Sequence, residues 1–292
     1  MKRELLSLGF AAMLTATPLF ACDQHGNDGI VEENNLWIPS NVKTVTGMNE
    51  ATFNTVLDRV EKIYAPIVSA EGKTLKVERK WSDGTVNAYA QQRGNTWQIS
   101  MFGGLARHET VTPDGFALVA CHELGHHLGG QPRKRSWFGT AWASNEGQSD
   151  YFGSSKCMRK YMEEDDNVAL MDGVEVPAFA VEKCEANFSN VEEIAMCKRN
   201  AMAGMSLAGL FRALRNLAEP LDFTTPDDNV VRSTDHNHPQ PQCRLDTYFA
   251  GSICDVDAYA DMDPSDETVN VCTRVDGYSI EARPLCWYKP RS

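Results

Sequence analysis

Two histidines four residues apart, His122 and His126, bracket Glu123 in the run Cys121-His122-Glu123-Leu124-Gly125-His126-His127-Leu128-Gly129-Gly130. On a helix that spacing stacks both imidazoles on one face, where they reach a single metal ion. Glu123 points partly aside, able to reach a metal-bound water without being a ligand. A catalytic metal site usually takes three protein ligands and keeps one position open. The run Asn145-Glu146-Gly147-Gln148-Ser149-Asp150 supplies Glu146 as the candidate third. The plain alternative is a chance match on an ordinary helix, and the carboxylate run downstream argues against it.

Those groups need elements to hold them. Pro113-Asp114 reads as a helix start, Phe116, Leu118, Val119 and Leu124 give the helix an apolar surface, and Gly129-Gly130 stops it. Residues 145–162 read as the helix carrying the third ligand. Ahead of both, strand-like runs at 75–81, 85–91 and 96–102 are punctuated by Ser82-Asp83-Gly84 and Arg93-Gly94-Asn95, which predicts an antiparallel meander. Its edge either binds an extended peptide through the backbone or merely covers the helix. Asn49 opens an earlier helix whose stripe (Phe53, Val56, Leu57, Val60, Ile63, Tyr64) is core packing.

Beyond the metal helix, 131–144 reads as a loop with solvated Arg133, Lys134 and Arg135 and the aromatics Trp137, Phe138 and Trp142. An acidic irregular stretch covers 163–190. One or two helices follow over 191–217, with Met205, Leu207, Leu210, Phe211 and Leu214 as core. A polar loop spans 220–241, a short helix 244–253, and a cysteine-rich tail closes the chain. The expected class is α+β, with a small antiparallel sheet and a mostly helical C-terminal half.

With 292 residues the chain can bury one good core. A net charge of −12 without a basic stripe excludes nucleic acid as a partner. Lys2 and Arg3 followed by an apolar stretch to Phe20, broken at Pro18, read as a secretory leader, too short for a membrane span. It ends in Leu19-Phe20-Ala21-Cys22, which resembles the lipobox of bacterial lipoproteins. That likeness implies lipid on Cys22; cleavage near Ala21 by an ordinary signal peptidase is the alternative. Setting Cys22 aside, the nine cysteines leave eight, enough for four disulfides in an oxidising compartment. Their pairing is not readable, since eight cysteines allow on the order of a hundred connectivities. Cys121 lies about 100° round the helix from His122 and reads as structural.

The zinc-type motifs, His122-Glu123-x-x-His126 and Asn145-Glu146-x-x-Ser149-Asp150, resemble those of the gluzincin metallopeptidases, thermolysin among them, with a similar interval between His126 and Glu146. Val86-Asn87-Ala88-Tyr89-Ala90 with 97–105 is similar to the strand pair before the zinc helix in the prenyl-protein endopeptidases and their heat-shock and outer-membrane-assembly relatives. His238-Pro239, with Arg244 downstream, is similar to a late segment of that family. The resemblance covers roughly 85–245 and implies a zincin-like fold. It implies that His122, His126 and Glu146 bind Zn2+, with water in the fourth place. Glu123 would serve as general base. Asp150 and Asn145 would orient ligands. His238 would stabilise an oxyanion, close the site as an inhibitory fourth ligand, or merely cap a turn. His236 is a weaker candidate for that role, and His127, His25 and His108 read as structural.

The expected organisation is a leader over 1–21, a tether over 22–47, a metallopeptidase domain over 48–245 and a disulfide-stapled tail over 246–292 packed on it. The expected function is an exported zinc endopeptidase acting on protein or peptide substrates in the bacterial periplasm, lipid-anchored to the inner or outer membrane. The competitors are a zinc hydrolase of peptidoglycan peptides and a non-catalytic zinc-bound envelope chaperone or binding protein. Glu123 speaks against the last, because a pure binder needs no base.

Overall fold

The computed structural model describes residues 29–136 and 139–291; Cys22, His25, Trp137 and Phe138 lie outside them. Helix α1 (Glu50–Ala70) is capped by Asn49, whose side chain accepts from Thr52 N, and its expected stripe faces inward. Strands β1 (Thr74–Lys80), β2 (Ala88–Arg93) and β3 (Thr96–Phe102) follow, then a single turn, α2 (Gly103–Ala106). Helix α3 (Pro113–Leu128) starts on the Thr112 cap with Pro113 in its first turn. From Gly115 to His127 every residue of α3 is buried. It is the central element, in contact with α1, β2 and β3, and truncating a side chain such as Phe116 to Ala there costs about 3–5 kcal/mol.

The sheet is small but is not a meander. Its order is β1-β3-β2, with β1 parallel to β3 and β2 antiparallel to it. The 85–91 run does not lie beside β1, because its first residues pair elsewhere: Thr85 bridges Trp37, and Gly84 O accepts from Ile38 N. That partner overturns a second expectation. Within the stretch read as a tether, residues 29–31 are buried and Ile30, Asn34, Trp37 and Ile38 meet the backbone edge at 84–88, while most of 32–47 is exposed. Ile30 is fully buried and its N–H reaches Ala88 O at 3.0 Å.

The 131–144 segment is not a loop but a hairpin, β4 (Arg133–Ser136) with β5 (Gly139–Ser144). Helix α4 (Glu146–Phe152) runs into a π-helical turn, Gly153–Cys157, and on into α5 (Met158–Met162). The stretch expected to be irregular carries α6 (Asn167–Met171) and α7 (Ala178–Asn187). Helix α8 (Val191–Leu214) and α9 (Pro241–Ile253) pack side by side, and α9 runs straight across the boundary expected at 245. Among the described residues no helix is long and apolar enough to cross a membrane.

Four disulfides staple this α+β framework: Cys121–Cys157, Cys184–Cys197, Cys243–Cys286 and Cys254–Cys272. The first joins α3 to the turn after α4, closing a 36-residue separation, for which chain entropy gives about 3–4 kcal/mol. The tail packs on α4. Trp287 is fully buried with Nε1 donating to Thr247 Oγ1 at 3.0 Å, and the buried Arg283 donates to Gln148 Oε1 at 3.1 Å.

Candidate metal centre

Helix α3 presents His122 and His126 from successive turns, and α4 brings Glu146 from its first turn. The helices approach closely at Gly125, where an added Cβ would stand 2.8 Å from Ser149 Cα, so only glycine fits. Asn145 caps α4 by accepting from Gln148 N at 2.9 Å. Its amide nitrogen donates to Asp235 O at 2.8 Å, which ties down the 231–239 loop. Asn145 therefore does not orient a ligand histidine, as had been expected; its position as cap commits its oxygen to the helix.

One donor atom from each of His122, His126 and Glu146 lies within 4.8 Å of the others, all three residues are buried, and the group could hold a metal ion. His122 Nδ1 faces Asp150 Oδ1 at 2.7 Å, and His126 Nδ1 faces Ser144 O at 2.9 Å. A carboxylate and a carbonyl only accept, so each Nδ1 carries the proton and each Nε2 points its lone pair inward. The two Nε2 atoms are 3.1 Å apart. Two lone pairs at that distance repel unless a cation or proton lies between them. Glu146 Oε2 stands 3.3 Å from His122 Nε2, yet makes no hydrogen bond of acceptable geometry. This is how donors stand around a shared centre. The other close donor group, Asp227 with Cys243 and Cys286, has its sulfurs in a disulfide.

Glu123 is fully buried and neither carboxylate oxygen has a hydrogen-bond partner. Burial lifts its pKa to about 8, against the pull of His122. An unpartnered buried carboxyl costs stability, and such groups cluster where they act on protons. Without a cation, burial would lower His122, but Asp150 and then Glu146 raise it to about 9, so a proton lies between the two Nε2 atoms where a metal would displace it. Burial holds His126 down at about 4. Burial pushes Glu146 up, but the neighbouring His238 and His126 keep it well below the usual carboxylate range.

Asp150 is itself held from α9. Arg244 donates to both of its oxygens at 2.8 Å, and Tyr248 OH reaches Oδ1 at 2.5 Å. Burial raises the Asp150 pKa, and Arg244 with His122 overcomes that to bring it to about 2. The carboxylate that orients His122 thus stays ionised. Sequence reasoning missed Tyr248, Ser144 and Ser149, whose Oγ lies 3.1 Å from His126 Nδ1. Arg244 and Tyr248, one turn apart on the same helix, were the available signal for a buried acid.

His238 stands at the rim. Its Nε2 is 3.2 Å from Glu146 Oε2 and donates to Gly29 O at 2.7 Å. It lies outside the group of three donors and meets a backbone carbonyl. The small cleft beside it, about 90 Å³, is walled by Val31, Asn34, Phe211, Pro241 and Arg244. His236 Nδ1 lies 3.4 Å from the Asn145 amide nitrogen, away from the three donors. His127 is sandwiched between Trp97 and Trp142, with ring centroids 5.1 and 4.9 Å away. His108 bonds Thr110 Oγ1 within its own turn. Compared with family models, curated proteins and solved structures, the chain matches none.

Proposed function

We propose that this chain is a zinc-dependent endopeptidase of the gluzincin type, on a zincin-like fold, exported to an oxidising compartment and hydrolysing peptide bonds of proteins or peptides. The observation that carries the reading is Glu123: a buried, unpartnered carboxyl beside two inward-facing imidazole lone pairs and Glu146. Two imidazoles and one carboxylate suit zinc as well as iron(II), and the buried carboxyl of Glu123 beside them, placed to serve as the base of a hydrolysis, favours zinc. Bonds of about 2.0–2.1 Å place tetrahedral ligands about 3.3 Å apart, close to the separations found here. When bound, zinc supplies a Lewis acid that acidifies water and polarises a carbonyl.

The chain's own groups do the rest. Glu123, buried beside the donor group, takes a proton from the attacking water and returns it to the leaving amine. His238 directs an N–H at the carbonyl oxygen of a bound peptide. Asp150 keeps His122 in the ligand tautomer, and Ser144 O does the same for His126. Export is supported by the four disulfides. Cys22 is proposed as the lipid-bearing residue.

The test is Glu123→Gln, measured for zinc by mass spectrometry and for hydrolysis of denatured casein. It should keep one zinc and lose about 10²–10⁴-fold in rate. Retained hydrolysis refutes the assignment. Casein left intact while cell-wall peptides are cut moves the substrate to peptidoglycan. Absence of zinc from the native protein removes the reading altogether.

A further inference from the structure

We propose that the Gly29–Ile30 peptide bond is a substrate of this same centre, laid in the cleft of its own chain and cut there. The proposal rests on the peptidase reading above and adds a modification site to it.

Three sets of contacts place the bond. On the acyl side, Gly29 O accepts from His238 Nε2 at 2.7 Å, and that nitrogen is 3.2 Å from Glu146 Oε2. His238 thus links the Gly29 carbonyl to Glu146 of the donor group. On the amine side, Ile30 N–H donates to Ala88 O at 3.0 Å, and Ile30 O accepts from Arg244 Nη1 at 2.5 Å. The Ile30 side chain is fully buried. One residue on, the Asn87 amide grips Val31 at both ends, accepting from its N–H at 3.3 Å and donating to its carbonyl at 3.0 Å. From Gly29 O to Val31 O every backbone polar group is matched, and the matching groups come from the edge of β2, from α9 and from the rim of the metal centre.

Backbone hydrogen bonds hold the segment and the buried Ile30 side chain fixes its register, while the chain bends at Ile30 and Val31. A segment that merely covered the domain would have no reason to offer one carbonyl to His238. The residue before the bond is constrained as well. A Cβ on Gly29 would fall 1.9 Å from Ala88 O and 2.3 Å from Asn87 Oδ1, so only glycine passes there.

In the reaction, the oxygen of water bonds to the Gly29 carbonyl carbon and the carbon–nitrogen bond to Ile30 breaks. One water proton travels through Glu123 to the Ile30 nitrogen. The products are a Gly29 carboxylate and an Ile30 amine. Asn87 and Arg244 act as positioning residues for the strand. The cut separates Cys22, the residue proposed to carry lipid, from the chain that begins at Ile30.

The experiment uses the full chain, purified metal-free and then given zinc, followed by intact mass and N-terminal sequencing. Wild type should yield a product beginning at Ile30 at a rate independent of protein concentration. Glu123→Gln should be at least about 100-fold slower. Gly29→Val should remain uncut while binding zinc normally. A readout without turnover is amide exchange in metal-free Glu123→Gln, where the Ile30 and Val31 amides should be protected, and exposed by adding Gly29→Val. Glu123-dependent casein hydrolysis with Gly29–Ile30 intact overturns this proposal and leaves the peptidase reading standing. Zinc bound with neither substrate cut overturns both. Equal cutting in wild type and Glu123→Gln points to another protease and also overturns it. Self-cutting with casein untouched supports it, the severed strand then still filling the cleft.

Discussion

Arg199 on α8 and Arg244 on α9 each take a carboxylate bidentately, but in different surroundings. Arg199 holds Asp114 of α3 at 2.7 Å through two nitrogens and reaches Asp165 at 2.6 Å, where Arg59 of α1 adds a contact at 2.8 Å. These side chains keep between 10% and 27% of their surface in water. Arg244 and Asp150 keep 3% and 0%. The outer network ties three helices together under partial screening, where ion pairs contribute little each. The inner pair has left water entirely, at a desolvation cost that an apolar pair would avoid. What it gains is orientation: Asp150 fixes His122, and Arg244 fixes Asp150. The outer network is about stability and the inner one about the site.

Breaking the inner pair should therefore have the largest effect. Arg244→Met takes from the buried Asp150 its guanidinium partner and should cost about 3–5 kcal/mol in denaturant unfolding, with zinc lost alongside. Asp150→Asn keeps the shape and removes the charge; competition with a chromophoric chelator should show zinc binding about 10–100-fold weaker. Arg199→Met should cost about 1 kcal/mol and leave zinc affinity alone. Altered affinity there would erase the distinction between the two networks. Raising salt to about 1 M, where the screening length is about 3 Å, should shrink the Arg199→Met penalty and leave that of Arg244→Met unchanged.

Acid gives the smallest effect. Partial burial pushes Asp165 up, but Arg199 and Arg59 together hold it below its ordinary 3.8. A depressed carboxyl contributes stability above the unfolded value and loses it as pH falls through the folded one. The acid limb of unfolding below pH 3.8 should accordingly flatten in Arg199→Met.

How far the sequence could be read follows from the range of each interaction. His122, Glu123 and His126 sit within one helical turn or so, and the Asn49, Thr112 and Asn145 caps act over two or three residues, so local spacing encodes them. Glu146 and Asp150 share a helix face and were legible for the same reason. The 29–38 segment was not, because it is held by backbone atoms of 84–88 and no side-chain pattern records such pairing. The parallel placement of β1 beside β3 was not legible either, because alternation within a strand does not say which neighbour it pairs with. Asn145 was misassigned since a residue beside a ligand can serve the helix instead. Ser144 supports His126 through a carbonyl, a group every residue possesses.

The bond between Cys121 and Cys157 fastens the helix of the two imidazoles to the turn that follows Glu146 and Asp150. Where glutathione keeps thiols reduced, that fastening is missing, and the centre must assemble without it. For a hydrolase of the kind proposed, crossing the membrane would be what arms it, sparing the nascent proteins of the compartment in which it is made. Protein produced with its thiols reduced should take up zinc more weakly than the oxidised form; equal uptake would show that the bond serves endurance alone.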